Sequence, residues 1–351
     1  MSIITKLKSK APALDQEIKE RLQHWPKIIS RYKVPSTKKA MIQLANTFLP
    51  FVAIWVLAYF SLEWSYWLTI ALAILGGFFL ARIFIIQHDC GHQSFLKSKK
   101  WNDRLGFMCS FFSTLPYKYW SRVHSFHHGH TGQLEHRDIG DIDFLTVKEF
   151  KDLSKWGRFK YRLFRSPVIL FGFVPVYYFT VSNRFPTISW EKGWTDVSKS
   201  QVLNNLAVGT VYLLLALILG WKQFLLVHIP IIIAFSIIAF WFFYVQHQHE
   251  KTYMQWRENW DYLLASIRGA SFYKVPKVFR WLTGNISFHH IHHLSSRIPN
   301  YNLEKCAKEN PILQKYVTSI SFWESLKLIR HKLWDEESER MISFREFYRR
   351  F

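Results

Sequence analysis

The sequence predicts an all-α integral membrane protein in which four transmembrane helices form two hairpins and a cytoplasmic helical cap covers one end of them. Three observations predict this class. Four apolar stretches are each long enough to cross a bilayer, which takes about 20 residues. Very short links join these stretches in pairs. Charged residues collect in separate segments of the chain, although 49% of the 351 residues are hydrophobic.

The first hairpin is predicted from residues 42–62 and 66–87, with the link SLEW, and the second from residues 203–220 and 224–246, with the link WKQ. Helices joined by such short links pack as antiparallel neighbours. Each pair is therefore expected to cross the bilayer and return.

Two further apolar stretches, residues 105–117 and 167–182, are shorter and contain proline. They are predicted to be interfacial or re-entrant rather than spanning. The chain then divides into a basic cytoplasmic N-terminal segment (1–41), the first transmembrane hairpin (42–87), a cytoplasmic segment with interfacial helices (88–202), the second transmembrane hairpin (203–246) and a cytoplasmic C-terminal segment (247–351).

The basic residues predict the orientation. The first 40 residues contain ten Lys and Arg, whereas the two links contain only Lys222. By the positive-inside rule, both termini are expected in the cytoplasm and both links outside. The formal net charge of +21 suits anionic lipid headgroups, at about 1 kcal/mol per basic residue near the surface, or an acidic soluble partner. Nucleic acid is not expected as a partner, because no nucleic-acid-binding motif accompanies the basic residues.

Histidines occur in three regularly spaced sets, within the motifs HDCGH, HSFHH and HHIHH. Residues three or four apart share one face of a helix. Each set is therefore expected to direct its imidazoles to one place on the cytoplasmic side. The eight candidate metal ligands are His88, His92, His124, His127, His128, His289, His292 and His293.

The number of histidines predicts two metal ions. Eight or nine imidazoles exceed the capacity of one ion, because structural zinc takes four ligands and octahedral ions take six. The cap is therefore predicted to hold a histidine-rich di-metal site. Imidazole suits iron, zinc and copper alike. The sequence contains neither the HExxH motif of zinc proteases nor the Glu-x-x-His pair of soluble di-iron proteins.

The three motifs, with QHQHE before the last and HHIHH taken as HxxHH, resemble the histidine boxes of the membrane fatty acid desaturases. The patterns FYVQHQHEKTY and SSRIPNYNLEKC are most similar to the bacterial acyl-lipid desaturases, and the resemblance covers roughly residues 85–305. It implies a desaturase of the bacterial inner membrane that acts on membrane phospholipid. Such an enzyme uses O2, two electrons and two iron ions to introduce a cis double bond into an acyl chain.

Carried over residue by residue, the resemblance makes the eight box histidines iron ligands and His247 the ninth, with His249 as its alternative. His290 lies off the face of its box and is expected to be a hydrogen-bonding neighbour. The roles of His130 and His136 stay open. The FFYVQ and SFFSTLP stretches are candidate linings for an acyl-chain tunnel.

Metal-bound histidines usually donate their second N–H to a carboxylate or a carbonyl. The candidates close to the boxes in sequence are Asp89, Asp138, Asp141, Asp143 and Glu250. Glu250 has the alternative of a salt bridge with Lys251 or an arginine. Asn285, four residues before His289, is a candidate to hold a metal-bound water or to cap a helix N-terminus.

The electrons are expected from a separate donor such as a ferredoxin or a flavoprotein. The sequence lacks the GxGxxG fingerprint, a CxxCH haem motif, a four-cysteine cluster and the HPGG signature of a fused cytochrome b5 domain. The open alternatives are a histidine-box hydroxylase acting on lipid or hydrocarbon and, from another class, a membrane metal-binding or transport protein. Transporters place ionisable residues inside the spans, whereas these motifs lie at helix ends. The position of the double bond and the choice between acyl-lipid and acyl-CoA also stay open.

Overall fold

A computed structural model of the chain describes residues 11–351. The structure is mostly helical, at 72%, and four of its helices are long and apolar enough to cross a membrane. The predicted helical class with four membrane-length helices is confirmed. The helices are α1 Ala11–Leu22, α2 Trp25–Ser30, α3 Thr37–Phe60, α4 Tyr66–Gly91, α5 Lys99–Ser113, α6 Tyr117–His130, α7 Val147–Asp152, α8 Lys155–Phe164, α9 Val174–Thr180, α10 Thr187–Glu191, α11 Thr195–Leu219, α12 Trp221–His247, α13 Tyr262–Arg268, α14 Lys277–Leu282, α15 His289–Leu294, α16 Asn300–Glu309, α17 Phe322–Lys327 and α18 Phe344–Arg350.

The four long helices α3, α4, α11 and α12 contain most of the four predicted spans but extend beyond the predicted bounds. Helix α3 begins at Thr37 rather than at residue 42, because the Ser36 side chain caps it by accepting a hydrogen bond from a backbone amide. Helices α4 and α12 continue to Gly91 and His247. The apolar run predicts where a helix crosses the bilayer, whereas the polar ends carry histidines.

The two hairpins turn within a few residues. In the first, the hydroxyl oxygens of Ser61 and Thr69 lie 2.8 Å apart and share a buried hydrogen bond. In the second, Gly220 alone separates the two helices and has a φ of +83°. A Cβ at this glycine would lie 2.5 Å from the side-chain oxygen of Gln223. Because the Gln223 side chain is flexible, it is the backbone conformation that favours glycine here.

Helices α4 and α12 form the centre of the bundle. A Cβ on Gly77 would lie 2.6 Å from the Cβ of Ala234, so small residues let the two backbones approach closely. Arg82, buried in α4, donates to the Thr47 hydroxyl on α3 (2.9 Å) and to the carbonyl of Trp281 on α14. These contacts fix helix α14, which precedes the third histidine motif, to the bundle.

Two helical segments, the first leg Lys155–Phe164 and the second leg Ile169–Arg184, meet at an angle of 51°. The second leg begins with a π-helical turn over Ile169–Phe173. Phe171 packs on Tyr244 near the histidine end of α12, with ring centroids 4.9 Å apart. Phe179 packs on Phe235 (4.7 Å), nine residues further from that end, which is about 13 Å of helix. Because α11 and α12 form a hairpin, α11 begins at the histidine end of α12. The second leg therefore enters the bundle part-way and leaves on the same side.

We call the elements between α4 and α11, together with those after α12, the cap. Two small sheets, not predicted from the sequence, join distant parts of the cap. The strands are β1 Leu145–Thr146, β2 Phe272–Lys274, β3 Ser319–Ser321, β4 Leu333–Asp335 and β5 Arg340–Ile342. Strands β1, β4 and β5 form one sheet in that order, and β2 pairs in parallel with β3. The C-terminal segment is thereby fixed to the elements that carry the histidine motifs.

Candidate metal centre

The structure brings all nine predicted ligands together at one end of the helix bundle. His88 lies in the last turn of α4, and His92 is the first residue after that helix. His247 is the last residue of α12. The other six lie on the cap helices α6 and α15. All nine are buried except His92, which is partly exposed.

Five histidines form a cluster that we name the first histidine group: His88, His92, His124, His128 and His292. One ring nitrogen of each lies within 4.8 Å of those of the others. The Nε2 atom of His292 lies 3.0 Å from that of His88 and 2.9 Å from that of His128. Rings from three distant parts of the chain therefore meet at one point.

Four histidines form the second histidine group: His127, His247, His289 and His293. Ring nitrogens of His127, His247 and His293 lie within 4.8 Å of one another. His289 joins them through its Nε2 atom, which lies 2.8 Å from that of His247 and 3.1 Å from that of His293. This group unites the second and third motifs with the end of α12.

Helices α6 and α15 each divide their histidines between the two groups. The expectation that each set points to a single place therefore holds for His88 and His92 but is wrong for the second and third sets. On α6, His124 and His128 belong to the first group and His127 to the second; on α15, His292 belongs to the first and His289 and His293 to the second. Residues four apart differ by about 40° around a helix, whereas adjacent residues differ by about 100°. The adjacent pairs His127–His128 and His292–His293 therefore each supply one side chain to each group.

The donor set fits two metal ions. Facing Nε2 atoms only 2.8–3.1 Å apart can share at most one proton per pair, so the converging lone pairs favour a cation between them. Burial, with neighbouring imidazoles, lowers the pKa of His124, His128 and His292 well below its usual value. These rings are therefore neutral at pH 7, which is the form that binds metal. Imidazole nitrogens alone do not select among iron, zinc and copper.

Asp89 supports the first histidine group. Its Oδ1 atom lies 3.0 Å from Nδ1 of His88, and its Oδ2 atom accepts hydrogen bonds from the backbone amide (2.6 Å) and the side-chain amide (2.8 Å) of Asn300. A carboxylate behind Nδ1 orients the ring with Nε2 toward the metal position. Asn300 is not among the residues predicted from the sequence. It is 211 residues from Asp89, and its place in the SSRIPNYNLEKC pattern is the one signal that marks it.

Asp141 lies beside the second histidine group. Its Oδ1 atom is 2.9 Å from Nδ1 of His127, but the contact is not aligned as a hydrogen bond. The Asp141 side chain is 15% exposed and lines a cavity. Asp138 and Asp143 line the same cavity and are exposed. Asp141 is therefore the candidate support for His127.

Two of the predicted supporting residues take other positions. Glu250 is exposed and its carboxylate lies 3.4 Å from Arg340, which is the salt-bridge alternative. Asn285 lies in a turn with a φ of +55°, and Phe288 is the N-cap residue of α15. The prediction that Asn285 caps this helix is therefore wrong, whereas its role toward a bound water stays a prediction.

His247, rather than His249, completes the second histidine group. The ring of His247 reaches His289, as described above, whereas His249 lies beyond the end of α12 and in neither group. His249 is buried, and its two ring nitrogens lack hydrogen-bond partners within residues 11–351.

The remaining histidines near the motifs have other contacts. Nε2 of His290 lies 2.7 Å from the side-chain amide nitrogen of Gln314, which agrees with the expected hydrogen-bonding neighbour. Nδ1 of His130 lies 2.8 Å from the carbonyl oxygen of Phe126, and the His130 ring packs against His136, with centroids 4.6 Å apart. His130 and His136 thus form a separate pair.

A cavity of about 350 Å³ adjoins both histidine groups. His88, His124 and His289 line one part of it, and it continues between α4, α12 and the second leg of residues 155–184. Much of the wall there is apolar and aromatic, formed by Ala81, Phe84, Phe179, Ile238, Ala239 and Phe240. The cavity therefore combines an apolar channel with a cluster of nitrogen donors.

The two predicted lining stretches have different positions. The FFYVQ stretch contributes Phe242 and Phe243 to the cavity wall. In the SFFSTLP stretch, Phe112 packs against Phe48 and Phe51, with ring centroids 5.2 and 5.6 Å apart. This stretch therefore belongs to the packing between α3 and α5.

Comparison with known proteins gives one family. The family model described as fatty acid desaturase matches residues 65–323. A fatty acid desaturase of Bacillus subtilis is 43% identical over 332 residues, covering 94% of this chain and 93% of the relative. An sn-1 acyl-lipid omega-3 desaturase (ferredoxin) of a Nostoc species is 28% identical over 272 residues, covering 72% and 71%. An sn-1 oleoyl-lipid 12-desaturase of Anabaena variabilis is 26% identical over 266 residues, covering 70% of each chain.

Proposed function

Since this chain belongs to the fatty acid desaturase family, whose members are oxidoreductases of lipid metabolism, we propose that it is an acyl-lipid desaturase of the bacterial inner membrane. It introduces a cis double bond into an acyl chain of a membrane phospholipid. The observation that carries this proposal is the apolar cavity lined by three of the nine converging histidines.

We assign one iron ion to each histidine group. When bound, the two ions supply the redox chemistry that activates O2. The chain itself holds the imidazoles neutral and oriented. Asp89 orients His88 in the first group, and Asp141 lies behind His127 in the second. Losing such a carboxylate typically lowers metal affinity or activity 10–100-fold.

A separate electron donor supplies the two electrons that the substrate does not. O2, two electrons and two protons convert a –CH2–CH2– unit into –CH=CH– and two water molecules. Two of the four electrons that reduce O2 come from the broken C–H bonds, and two come from the donor. We propose a ferredoxin or a flavoprotein for this role. The name of the Nostoc relative specifies ferredoxin.

The cavity wall positions the acyl chain. Ile238 lines the cavity nine residues before His247, which is about 13 Å along α12. Each methylene that leaves water for this wall contributes about 0.8 kcal/mol. Phe84 and Phe240 enclose the chain from α4 and α12. The same packing excludes water from the reacting carbons.

The proposed orientation places the histidines on the cytoplasmic side. Trp64, Trp67 and Trp221, at the two hairpin turns, are 82%, 83% and 69% exposed. Tryptophan is enriched at membrane–water interfaces, so these residues support an interface at the end opposite to the histidines. Ten Lys and Arg in the first 40 residues support a cytoplasmic N-terminus.

The test is the fatty acid profile of a bacterial host that expresses the intact protein together with a ferredoxin and its reductase. His292→Ala removes a member of the first histidine group, and His24→Ala is the matched control at an exposed position outside both groups. New unsaturated chains are expected with the intact protein and with His24→Ala, and none with His292→Ala. The bond position in the product gives the regiochemistry.

Two results contradict the proposal. Hydroxylated chains in place of unsaturated ones establish the hydroxylase alternative. An unchanged profile of the host excludes a membrane acyl chain as the substrate, provided that the protein purified from that host holds two iron ions and is reduced by the donor.

A further inference from the structure

Helix α8 (KWGRFKYRLF) leaves three large apolar side chains uncovered. Trp156, Phe159 and Leu163 are 63%, 53% and 51% exposed, and the rings of Trp156 and Phe159 stack with their centroids 5.1 Å apart. At about 100° per residue, the three side chains lie within about 60° around the helix. A contiguous exposed apolar surface of this kind marks a site that binds a partner or a membrane.

Basic residues border this apolar stripe. Lys155 and Arg162 lie on one side of it and Lys160 on the other, all three exposed, and α8 contains no acidic residue. The opposite face is anchored, because Tyr161 is buried and its hydroxyl donates to the carbonyl of Lys332 (2.7 Å). A helix with a free apolar stripe and cationic borders lies in the plane of a membrane interface.

The same helix forms part of the cavity rim. Its last residue, Phe164, lines the cavity. The next residue, Arg165, is fully buried and donates to the side-chain oxygen of Gln248 (2.6 Å) and to the carbonyl of Asp143 (2.9 Å). Gln248 directly follows His247. Helix α8 is therefore fixed beside the second histidine group.

Helix α17 also has exposed apolar side chains. On α17, Phe322, Trp323 and Leu326 are exposed, and the residues beneath the two helices, including Phe164 and Leu328, belong to one apolar cluster. The exposed apolar stripe of α8 with its cationic borders matches the boundary between acyl chains and anionic headgroups. An acidic protein would match the cations but not two rows of aromatic side chains.

We propose that α8 binds the headgroups of anionic glycerophospholipids, and so concentrates these lipids at the rim of the cavity. The apolar stripe inserts among acyl chains, and Lys155, Lys160 and Arg162 bind the phosphates. Each basic residue near an anionic membrane surface contributes roughly fivefold to binding. That the lipids concentrated there are substrates of the enzyme rests on the proposed function, whereas their binding to α8 does not.

The test uses purified full-length protein in vesicles of phosphatidylcholine with increasing amounts of brominated phosphatidylglycerol or brominated phosphatidylcholine. Bromine quenches the fluorescence of a tryptophan in contact with it. Because the chain contains 16 tryptophans, the difference between the intact protein and Trp156→Phe isolates the signal from α8. We expect Trp156 to be quenched by both lipids, with phosphatidylglycerol preferred at least tenfold.

The variant that tests the charge is the triple substitution Lys155→Gln, Lys160→Gln, Arg162→Gln. It is expected to reduce the preference for phosphatidylglycerol over phosphatidylcholine to within about twofold. Both brominated lipids should still quench Trp156, because the apolar stripe remains inserted among the acyl chains. The matched control substitutes three exposed lysines elsewhere on the cap, Lys305, Lys308 and Lys315, by glutamine. This control is expected to keep the preference.

Several outcomes overturn the proposal: no quenching of Trp156, an unchanged preference in the triple variant, or an equal loss in the lysine control. If the triple variant instead weakens binding of an acidic ferredoxin and leaves the lipid preference intact, the surface binds protein. The measurement needs no turnover and no bound iron. Its failure is therefore distinct from a failure of the desaturase assignment, which the fatty acid profile tests.

Discussion

The two histidine groups differ in how their side chains are supported. In the first, Asp89 is buried behind His88 and is fixed by two N–H donors of Asn300. In the second, Asp141 lies at the cavity, is partly exposed and is not aligned with the ring of His127. The first carboxylate is preorganised by these hydrogen bonds, whereas the second is partly open to solvent. Two sites built from the same side chain are therefore expected to respond differently to the loss of a carboxylate.

The groups are nevertheless in contact. His128 of the first group stacks on His293 of the second, with ring centroids 4.3 Å apart, and His128 and His292 are each adjacent in sequence to a member of the second group. A change that moves α6 or α15 therefore affects both groups, whereas a change at Asp89 or Asp141 affects mainly one. Substitutions of the two carboxylates are thus the sharpest test of the difference.

The largest effect is expected from Asp89→Asn. The isosteric amide keeps the volume but turns a donor or a neutral oxygen toward His88, so the ring loses its orienting charge. The affinity for one of the two metal ions should fall 10–100-fold. Competition with a chromophoric chelator, starting from metal-free protein, measures both binding steps. Two unchanged steps would show that Asp89 does not support a ligand.

Asn300→Ala is expected to have the next largest effect. It removes one N–H donor from the carboxylate of Asp89 and leaves the backbone donor, so that the carboxylate becomes mobile. The same binding step that Asp89→Asn weakens should weaken by about tenfold. Asn302→Ala is the control on the same helix, because the Asn302 amide donates to the carbonyl of Tyr32 instead (3.0 Å). An equal loss in both variants would indicate a general disturbance of α16.

Asp141→Asn is expected to weaken the other binding step by less than about tenfold, at the low end of the range for such residues. The Asp141 carboxylate is partly exposed, so solvent reduces its effect on His127. The same chelator competition gives the value. If Asp141→Asn and Asp89→Asn have equal effects, the contrast between the two groups is wrong.

The smallest effect is expected in the rate of metal loss. A chelator added to the loaded protein should remove the two ions in separate phases, a few-fold apart, with the second group emptied first because Asp141, at the cavity, holds His127 less firmly than Asp89 holds His88. Metal content measured against time gives the two rates. A single phase contradicts this order.

Much of the fold could be predicted because its signals are local. A run of about 20 apolar residues indicates a spanning helix whatever surrounds it, and the four predicted spans fall on the four long helices. The polar turns that extend these helices have no such signal. Helix α11, for example, begins at Thr195 rather than at residue 203, because its first turns are held by the cap rather than by lipid.

The candidate site could be predicted in membership but not in arrangement. Histidine spacing, and for His247 the family resemblance, identified nine residues, and the structure brings all nine together. The spacing did not reveal that the adjacent pairs His127–His128 and His292–His293 divide between two groups. That division depends on the direction from which other helices approach α6 and α15, and no local pattern records it.

The sequence by itself determined the four long apolar helices, the presence of a dense histidine cluster and the residues that form it, because periodicity and hydrophobic length act over a few neighbouring residues. Only the tertiary structure decided which histidine faces which, that Asn300 holds Asp89 across 211 residues, and that Glu250 pairs with Arg340 rather than with a ligand. These contacts join segments far apart in the chain. They exist only when the packing of the helices brings the segments together.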